Sequence, residues 1–143
     1  MAVITLKYIF SYMTIGIIGF SRFGQLLAKI LKPYGEVFVC NRSDRSAKAK
    51  ELGVEWTSLE QVCQADWIFV AVAISATEEI IKKIASLLKK GSLVMDVCSV
   101  KVYPSQWLKK YIPRNNEIMA THPMFGPDSA ANGTKDLLSL IHI

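Results

Sequence analysis

Two side chains of the sequence stand where they could move a proton. His122 follows the apolar segment Glu117–Thr121, which is typical of a strand, and Ser99 follows a second such segment, Ser92–Val97. If both segments are parallel strands of one sheet, their carboxyl ends meet at the edge where such sheets bind ligands. A neutral imidazole there can accept a hydroxyl proton while hydride leaves the same carbon. A lone histidine is more often structural, but its position beside Ser99 favours the chemical interpretation.

A glycine-rich turn near the start of the chain could place a nucleotide beside these residues. The apolar run Thr14–Ile18 breaks at Gly19, and a helix-period pattern opens at Gly24. This pattern is typical of a strand–turn–helix unit whose free N–H groups bind a pyrophosphate. Ser21 replaces the middle glycine of G-x-G-x-x-G. Either this small residue is accommodated, or its Cβ and hydroxyl crowd the pyrophosphate and lower the affinity, and the sequence leaves both alternatives open. The motif alone would equally suit a close-packed turn without a ligand.

The end of the second predicted strand indicates which dinucleotide would bind. Glu36–Cys40 is followed by Asn41, Arg42, Ser43 and Asp44, about 20 residues after the glycine turn, where this type of site binds the adenosine ribose. A guanidinium and a hydroxyl suit the 2′-phosphate of NADP. We therefore predict NADP as the preferred cofactor and NAD as the alternative, with Asp44 able to reach the ribose. In the alternative without a cofactor role, Arg42 is solvated and Ser43 only caps the next helix.

The predicted cofactor site draws on three turns of the chain, and no metal site is predicted. Its candidate residues are Gly19, Phe20, Ser21, Arg22, Phe23, Gly24, Asn41, Arg42, Ser43, Ile74 and Ser75.

The elements that must position these residues alternate between strands and helices. Helical patterns run from Gly24 to Pro33, from Asp44 to Leu52, briefly after a capping box at Ser58, from a cap at Ser75–Glu78 to Leu88, and around Trp107. The predicted strands are Thr14–Ile18, Glu36–Cys40, Val54–Trp56, Trp67–Val72, Ser92–Val97 and Glu117–Thr121. This alternation predicts an α/β fold with a doubly wound parallel sheet and right-handed crossovers.

Length, charge and cysteine usage narrow the class of protein. A chain of 143 residues that is 51% hydrophobic suits one domain with a single core. The net charge of +5 comes from lysine pairs near predicted helix ends, where they match the helix dipole, so we expect no nucleic-acid partner. The spacing of the three cysteines suggests neither a metal knuckle nor a disulfide frame, which favours a reducing cytoplasm.

The sequence also predicts no membrane partner. No apolar run approaches the length of a membrane span. Residues 1–12 are apolar but lack the cleavage pattern of a signal peptide, and Met13 opens directly on the first strand. We therefore interpret residues 1–12 as an N-terminal extension.

Three segments together resemble the prephenate/arogenate dehydrogenase family of tyrosine biosynthesis. They are Gly19–Gln25, Asp96–Lys101 and Thr121–Ser129, and the H-P-M-F-G-P element of the third is the most specific. The resemblance covers residues 13–137, which we predict to form a Rossmann-type NAD(P)-binding domain. The Arg-Ser-Asp sequence after the second strand is similar to that of the NADP-using arogenate branch.

The resemblance implies oxidative decarboxylation of prephenate or arogenate, a small-molecule substrate. In that reaction His122 takes the ring hydroxyl proton, Ser99 binds the same hydroxyl, and Asp128 occupies the place of an acidic residue of the family. Lys101 matches the family's S-V-K, where packing or helix entry is as plausible as catalysis. The family continues into a helical domain that supplies a substrate-binding arginine and forms a homodimer, so we expect this part alone to turn over little or no substrate.

The resemblance fades over Leu138–Ile143. CTG TCT CTT ATA CAC ATC would encode these residues, a pattern similar to a transposase-type sequencing adapter. We therefore expect a non-native tail, against natural truncation or deliberate excision, and do not count His142 as a site residue. Two other functions stay open. One is a Rossmann dehydrogenase of the β-hydroxyacid type, which the H-P-M-F-G-P element disfavours, and the other is a non-catalytic nucleotide-binding module.

Overall fold

The protein folds around a seven-stranded sheet. The computed structural model describes residues 13–142, so the predicted extension 1–12 lies outside the described residues. The strands are β1 (Thr14–Ile18), β2 (Glu36–Cys40), β3 (Glu55–Trp56), β4 (Trp67–Val70), β5 (Leu93–Asp96), β6 (Glu117–Pro123) and β7 (Ser139–His142). The α-helices are α1 (Arg22–Leu31), α2 (Ser46–Leu52), α3 (Leu59–Val62), α4 (Ile74–Ile84) and α5 (Val102–Tyr111), and a 3-10 turn spans Lys32–Tyr34.

The strand order confirms the predicted fold class. The order across the sheet is β3-β2-β1-β4-β5-β6-β7, and the chain reverses its direction of winding between β1 and β4. Strands β1 to β6 pair in parallel, while β7 pairs antiparallel with β6. This is a doubly wound Rossmann-type sheet, in which ligands bind at the reversal point, beyond the carboxyl ends of the strands.

Apolar side chains cover both faces of the sheet. Alternate residues of β4 belong to different clusters: Ile68 and Val70 pack with Ile81 of α4, while Phe69 packs on the opposite face in a cluster that includes Leu27 of α1. A strand buried on both sides needs apolar residues at every position. The continuous apolar run at Trp67–Val70 therefore reflects the layer of helices on each side.

Several predicted boundaries differ from the structure. The predicted cap at Ser75 is wrong, because α4 begins at Ile74 after Ala73 and no side chain caps it. Its helical pattern also ends at Ile84, before the predicted Leu88. The cap at Ser58 is confirmed, since its hydroxyl accepts a hydrogen bond from the Gln61 amide at 3.2 Å.

The sixth strand is longer than its apolar pattern predicts. It continues through His122 and Pro123, because Ser139–His142 pairs along this extension, with His122 opposite Leu140. The sequence pattern at this end is polar and contains a proline, so periodicity alone does not predict a strand there.

The side chain of Asp66 links the amino ends of β1 and β4 by hydrogen bonds to Thr14. Its carboxylate accepts hydrogen bonds from the Lys89 ammonium at 2.5 Å and from the Thr14 amide and hydroxyl at 3.0 and 2.9 Å. Lys89, and then Thr14, hold the pKa of Asp66 below its ordinary value of 3.8. The stabilisation is therefore complete above that value and lost as the pH falls through the lower folded pKa.

Asp66→Asn is accordingly expected to lower the free energy of unfolding by about 1 kcal/mol at pH 7, since the site is partly exposed. Thermal unfolding measured from pH 7 to pH 2 should show this difference shrinking as the wild-type carboxylate becomes protonated. Glu51→Gln, which removes an exposed pair with Lys48, is the matched control and should change stability less. A difference that stays constant down to pH 2 would contradict the assigned role of the charge.

Candidate nucleotide-binding edge

Two glycines of the β1–α1 turn are required by close backbone contacts. Gly19 has a φ of +102°, and a Cβ at this position would lie 2.4 Å from the carbonyl oxygen of Ala71. A Cβ on Gly24 would lie 2.0 Å from the carbonyl oxygen of Gly19. The first glycine therefore permits the turn, and the last lets α1 pack against it, as the sequence motif predicts.

Ser21 is the residue from which α1 starts. Its backbone is extended, with ψ of −169°, and its side chain is exposed and makes no capping hydrogen bond. A serine at this position commonly caps the N–H groups of the first turn. Because the Ser21 hydroxyl does not do so, the first-turn N–H groups stay free to bind an anion. Whether the hydroxyl also crowds a pyrophosphate remains a prediction.

Asn41 links the glycine turn to the end of β2. Its Oδ1 accepts a hydrogen bond from the Phe20 amide at 3.0 Å, and its Nδ2 donates to the carbonyl and hydroxyl oxygens of Ser43 at 3.1 and 3.0 Å. Arg42 next to it is exposed. Asn41 therefore uses both ends of its amide to hold the two turns together, while contacts of Arg42 and Ser43 with a ribose substituent remain predictions.

Asp44 is engaged with the start of the next helix. Its carboxylate accepts a hydrogen bond from the Ser46 amide at 2.8 Å, and this bond lowers the pKa of Asp44. An exposed, ionised carboxylate two residues after Arg42 in the sequence would favour a ribose hydroxyl over a phosphate. Asp44 is thus the residue that opposes the predicted preference for NADP.

A segment that follows β6 lies against the glycine turn. The guanidinium of Arg22 is 2.6 Å from the carboxylate of Asp128, and both side chains are exposed, by 74% and 87%. The rings of Phe23 and Phe125 approach to 6.3 Å between centroids. Asp128, predicted from the family resemblance as a catalytic residue, is therefore paired with an arginine of the predicted cofactor site.

One line of paired residues places all the predicted turns at the same edge of the sheet. Ile18 pairs with Cys40 and with Val70, Val70 pairs with Asp96, and Asp96 pairs with Ala120. Because these strands are parallel, the residues that follow each of these paired positions all lie toward the carboxyl ends of the strands. The glycine turn and the segments that begin at Asn41, Ala71, Val97 and Thr121 therefore share one edge.

The proposed catalytic side chains lie at this edge with different exposure. His122 is half-buried within β6, and Ser99 is exposed in the loop between β5 and α5. Ile74 and Ser75 are exposed in the first turn of α4. The structure thus brings the predicted residues to one edge, while their roles toward a ligand remain predictions.

A buried polar group at this edge was not predicted from the sequence. Asp96 at the end of β5 is fully buried and pairs with Lys101, whose side chain is 11% exposed. The sequence feature that could have indicated this buried pair is the aspartate within an otherwise apolar strand, because a carboxylate is rarely buried unless it is paired. Among residues 13–142, no group of three or more histidine, cysteine, aspartate or glutamate side chains could hold a metal ion.

The sequence of this chain also matches a known protein family. The statistical model described as "Prephenate dehydrogenase, nucleotide-binding domain" matches residues 27–139. The chain belongs to the prephenate dehydrogenase family. The family resemblance predicted from the three motifs is thereby confirmed, and so is the Rossmann-type fold.

Named relatives of the family agree with this assignment. The chain is 38% identical over 123 residues to arogenate dehydrogenase 1, chloroplastic, of Arabidopsis thaliana, covering 82% of this chain and 19% of the relative. A probable arogenate/prephenate dehydrogenase of Methanocaldococcus jannaschii is also 38% identical over 123 residues, covering 82% of this chain and 28% of the relative. The chain therefore spans less than a third of the length of these two relatives.

A solved structure shares the fold. Prephenate dehydrogenase from Aquifex aeolicus, in complex with hydroxyphenyl propionate and NAD⁺, superposes with a TM-score of 0.69 at 24% sequence identity. The alignment covers 80% of this chain and 42% of that protein. Among the described residues of the present chain, no helix is long and apolar enough to cross a membrane.

Proposed function

We propose that this chain is the NAD(P)-binding part of a prephenate or arogenate dehydrogenase. The observation that carries the proposal is the single edge that joins the glycine turn, the end of β2 and the strand end at His122. The fit of the turn to a pyrophosphate is supported by Gly19 and Gly24, because a Cβ at either position would collide with a backbone carbonyl oxygen. Glycine at both positions therefore allows the tight turn that leads into the N-terminus of α1, where N–H groups can bind phosphate.

In the proposed reaction, each residue at this edge has a separate role. NAD(P), when bound, supplies the hydride acceptor. Half-buried His122 accepts the proton of the substrate ring hydroxyl, and Ser99 orients that hydroxyl by a hydrogen bond. The first turn of α1, with Arg22, binds the pyrophosphate. Loss of carbon dioxide then follows from aromatisation of the ring.

The substrate and the assembly are part of the same proposal. Prephenate and arogenate are both small anions, and the relatives that match carry both names. In our proposal a second, helical domain binds the side chain of the substrate and provides the contacts of a homodimer. A β-hydroxyacid reaction or a purely nucleotide-binding role would leave the H-P-M-F-G-P element without a use, so neither is preferred.

Titration calorimetry of the purified chain with NADP⁺ and with NAD⁺ tests the cofactor part of the proposal. We expect measurable binding of both, with NADP⁺ the tighter. Binding of neither dinucleotide, by a chain shown to be folded by circular dichroism, would overturn the proposed function.

Arg42→Ala is expected to weaken NADP⁺ binding about tenfold while changing NAD⁺ affinity less than about twofold, because it removes a charge-assisted bond to the 2′-phosphate alone. Dissociation constants for both cofactors provide the measurement. Arg45→Ala, which removes a nearby exposed arginine, is the matched control and should affect the two cofactors equally. An equal effect of Arg42→Ala on NADP⁺ and NAD⁺ would contradict the assignment of Arg42 to the 2′-phosphate.

A further inference from the structure

A buried ion pair connects the ends of β5 and β6. The ammonium of Lys101 donates hydrogen bonds to Oδ2 of Asp96 and, at 2.5 Å, to the carbonyl oxygen of Thr121. Asp96 is fully buried and the side chain of Lys101 is nearly so. Taking two charges out of water is costly even when they are paired, so a buried ion pair is weak evidence for a gain in stability. A role other than stability can explain why it lies at this edge.

Asp96 also holds the backbone on both sides of the proposed site. Its Oδ2 accepts a hydrogen bond from the Cys98 amide at 3.0 Å, and its carbonyl oxygen accepts one from the Thr121 hydroxyl at 2.6 Å. Cys98 immediately precedes Ser99, and Thr121 immediately precedes His122. One residue therefore fixes the chain just before each of the two proposed catalytic side chains.

The two charges act as one unit. Among the described residues, Oδ1 of Asp96 has no hydrogen-bond partner, so the ammonium of Lys101 is the charge that offsets the carboxylate. Lys101 closes the loop Ser99–Lys101 by returning from its far end to Asp96 and to Thr121. Removal of either partner alone would leave an uncompensated charge in the interior.

We propose that Asp96 and Lys101 are positioning residues that set Ser99 and His122 relative to one another. This inference rests on the proposed function, which gives those two side chains their roles. The pair makes the spacing of the two side chains a property of the folded chain rather than of the bound substrate. Preorganisation of this kind lowers the cost of reaching the reactive geometry.

The test uses a double variant that removes both charges. Asp96→Asn with Lys101→Met keeps an oxygen for the Cys98 amide and a similar side-chain volume, but it breaks the link from Lys101 to Thr121. Lys101→Arg is the conservative variant that retains the charge. Ser105→Ala is the control, because it removes a hydrogen bond to the Lys101 carbonyl and leaves the ion pair in place.

Nuclear magnetic resonance of the 143-residue chain supplies the measurement. The ring signals of His122 are assigned with His122→Gln, and the amide of Ser99 is observed in the same samples. In the double variant we expect the transverse relaxation rates of both signals to rise about twofold or more. Without the Lys101 ammonium the loop Ser99–Lys101 is no longer tied to Thr121, so the two segments exchange between conformations on the microsecond to millisecond timescale. The single variants Lys101→Arg and Ser105→Ala, which both retain a cation beside Asp96, should each show the relaxation rates of the wild type.

The outcomes separate this inference from the function on which it rests. A folded double variant whose His122 and Ser99 signals match the wild type would overturn the positioning role. So would a change in His122 alone, since the inference requires both to respond. NADP⁺ binding is measured on the same proteins and should stay within about threefold of the wild type. Failure of the wild-type chain to bind dinucleotide would reject the proposed function while leaving the response of the two signals to decide the inference.

Discussion

Gly24→Ala is expected to destabilise the protein by about 3 kcal/mol or more, a large fraction of the stability of a domain this size. The added Cβ would lie 2.0 Å from the carbonyl oxygen of Gly19, and no rotamer change can relieve a contact between two backbone-attached atoms. The first turn of α1 must therefore move away from the turn at Gly19. Denaturant unfolding of the two proteins measures the loss of stability.

The same movement should weaken dinucleotide binding by about tenfold or more under conditions where the variant is folded, because the N–H groups of α1 no longer point at one place. Gly126→Ala is the matched control. A Cβ at Gly126 meets no atom within 4 Å, so its stability should stay close to that of the wild type. A Gly24→Ala protein with wild-type stability and affinity would show that the turn is not the tight contact described above.

Local patterns predicted the parts of the fold that depend on neighbouring residues. The glycine turn, the cap at Ser58 and the buried strands each follow from the backbone or burial needs of a few consecutive positions. Because parallel strands end at a common edge, the sequence could also place Ser99 and His122 near one another without any knowledge of distances.

Contacts between distant segments could not be predicted in this way. The pairing of Asp96 with Lys101, the bond from Lys101 to Thr121 and the pair formed by Arg22 and Asp128 depend on the path of loops through space. The extension of β6 through His122 depends likewise on β7, which begins 16 residues after β6 ends. In each case the residue types allowed several partners, and only the folded chain selects one.

The structure adds a contact for Asp128 that the family resemblance does not supply. The resemblance assigns Asp128 to catalysis, which stays a prediction, and the structure pairs its carboxylate with Arg22 at the start of α1. A pair this exposed contributes little to stability. Under the proposed function, a pyrophosphate at the first turn of α1 would compete with Asp128 for the same guanidinium.

His122→Asn is expected to lower kcat about 100- to 10,000-fold, the usual contribution of a general base, and to leave cofactor affinity within about twofold. Asparagine keeps a polar side chain of similar reach but cannot take up the hydroxyl proton at neutral pH. The measurement needs a form in which residues 13–137 are joined to the second region of a relative such as the Methanocaldococcus jannaschii protein, with the unmutated chimera as reference.

Comparison of kcat with cofactor affinity distinguishes a general base from a residue that only supports the strand. Loss of the base slows the step in which the proton leaves and does not touch the glycine turn, so kcat falls while the dissociation constant for NADP⁺ holds. Collapse of β6 would instead disturb Thr121 and, through Asp96, the whole edge, so both quantities would change together. A kcat near that of the reference chimera would remove His122 from the mechanism and leave Ser99 without a partner for the proton.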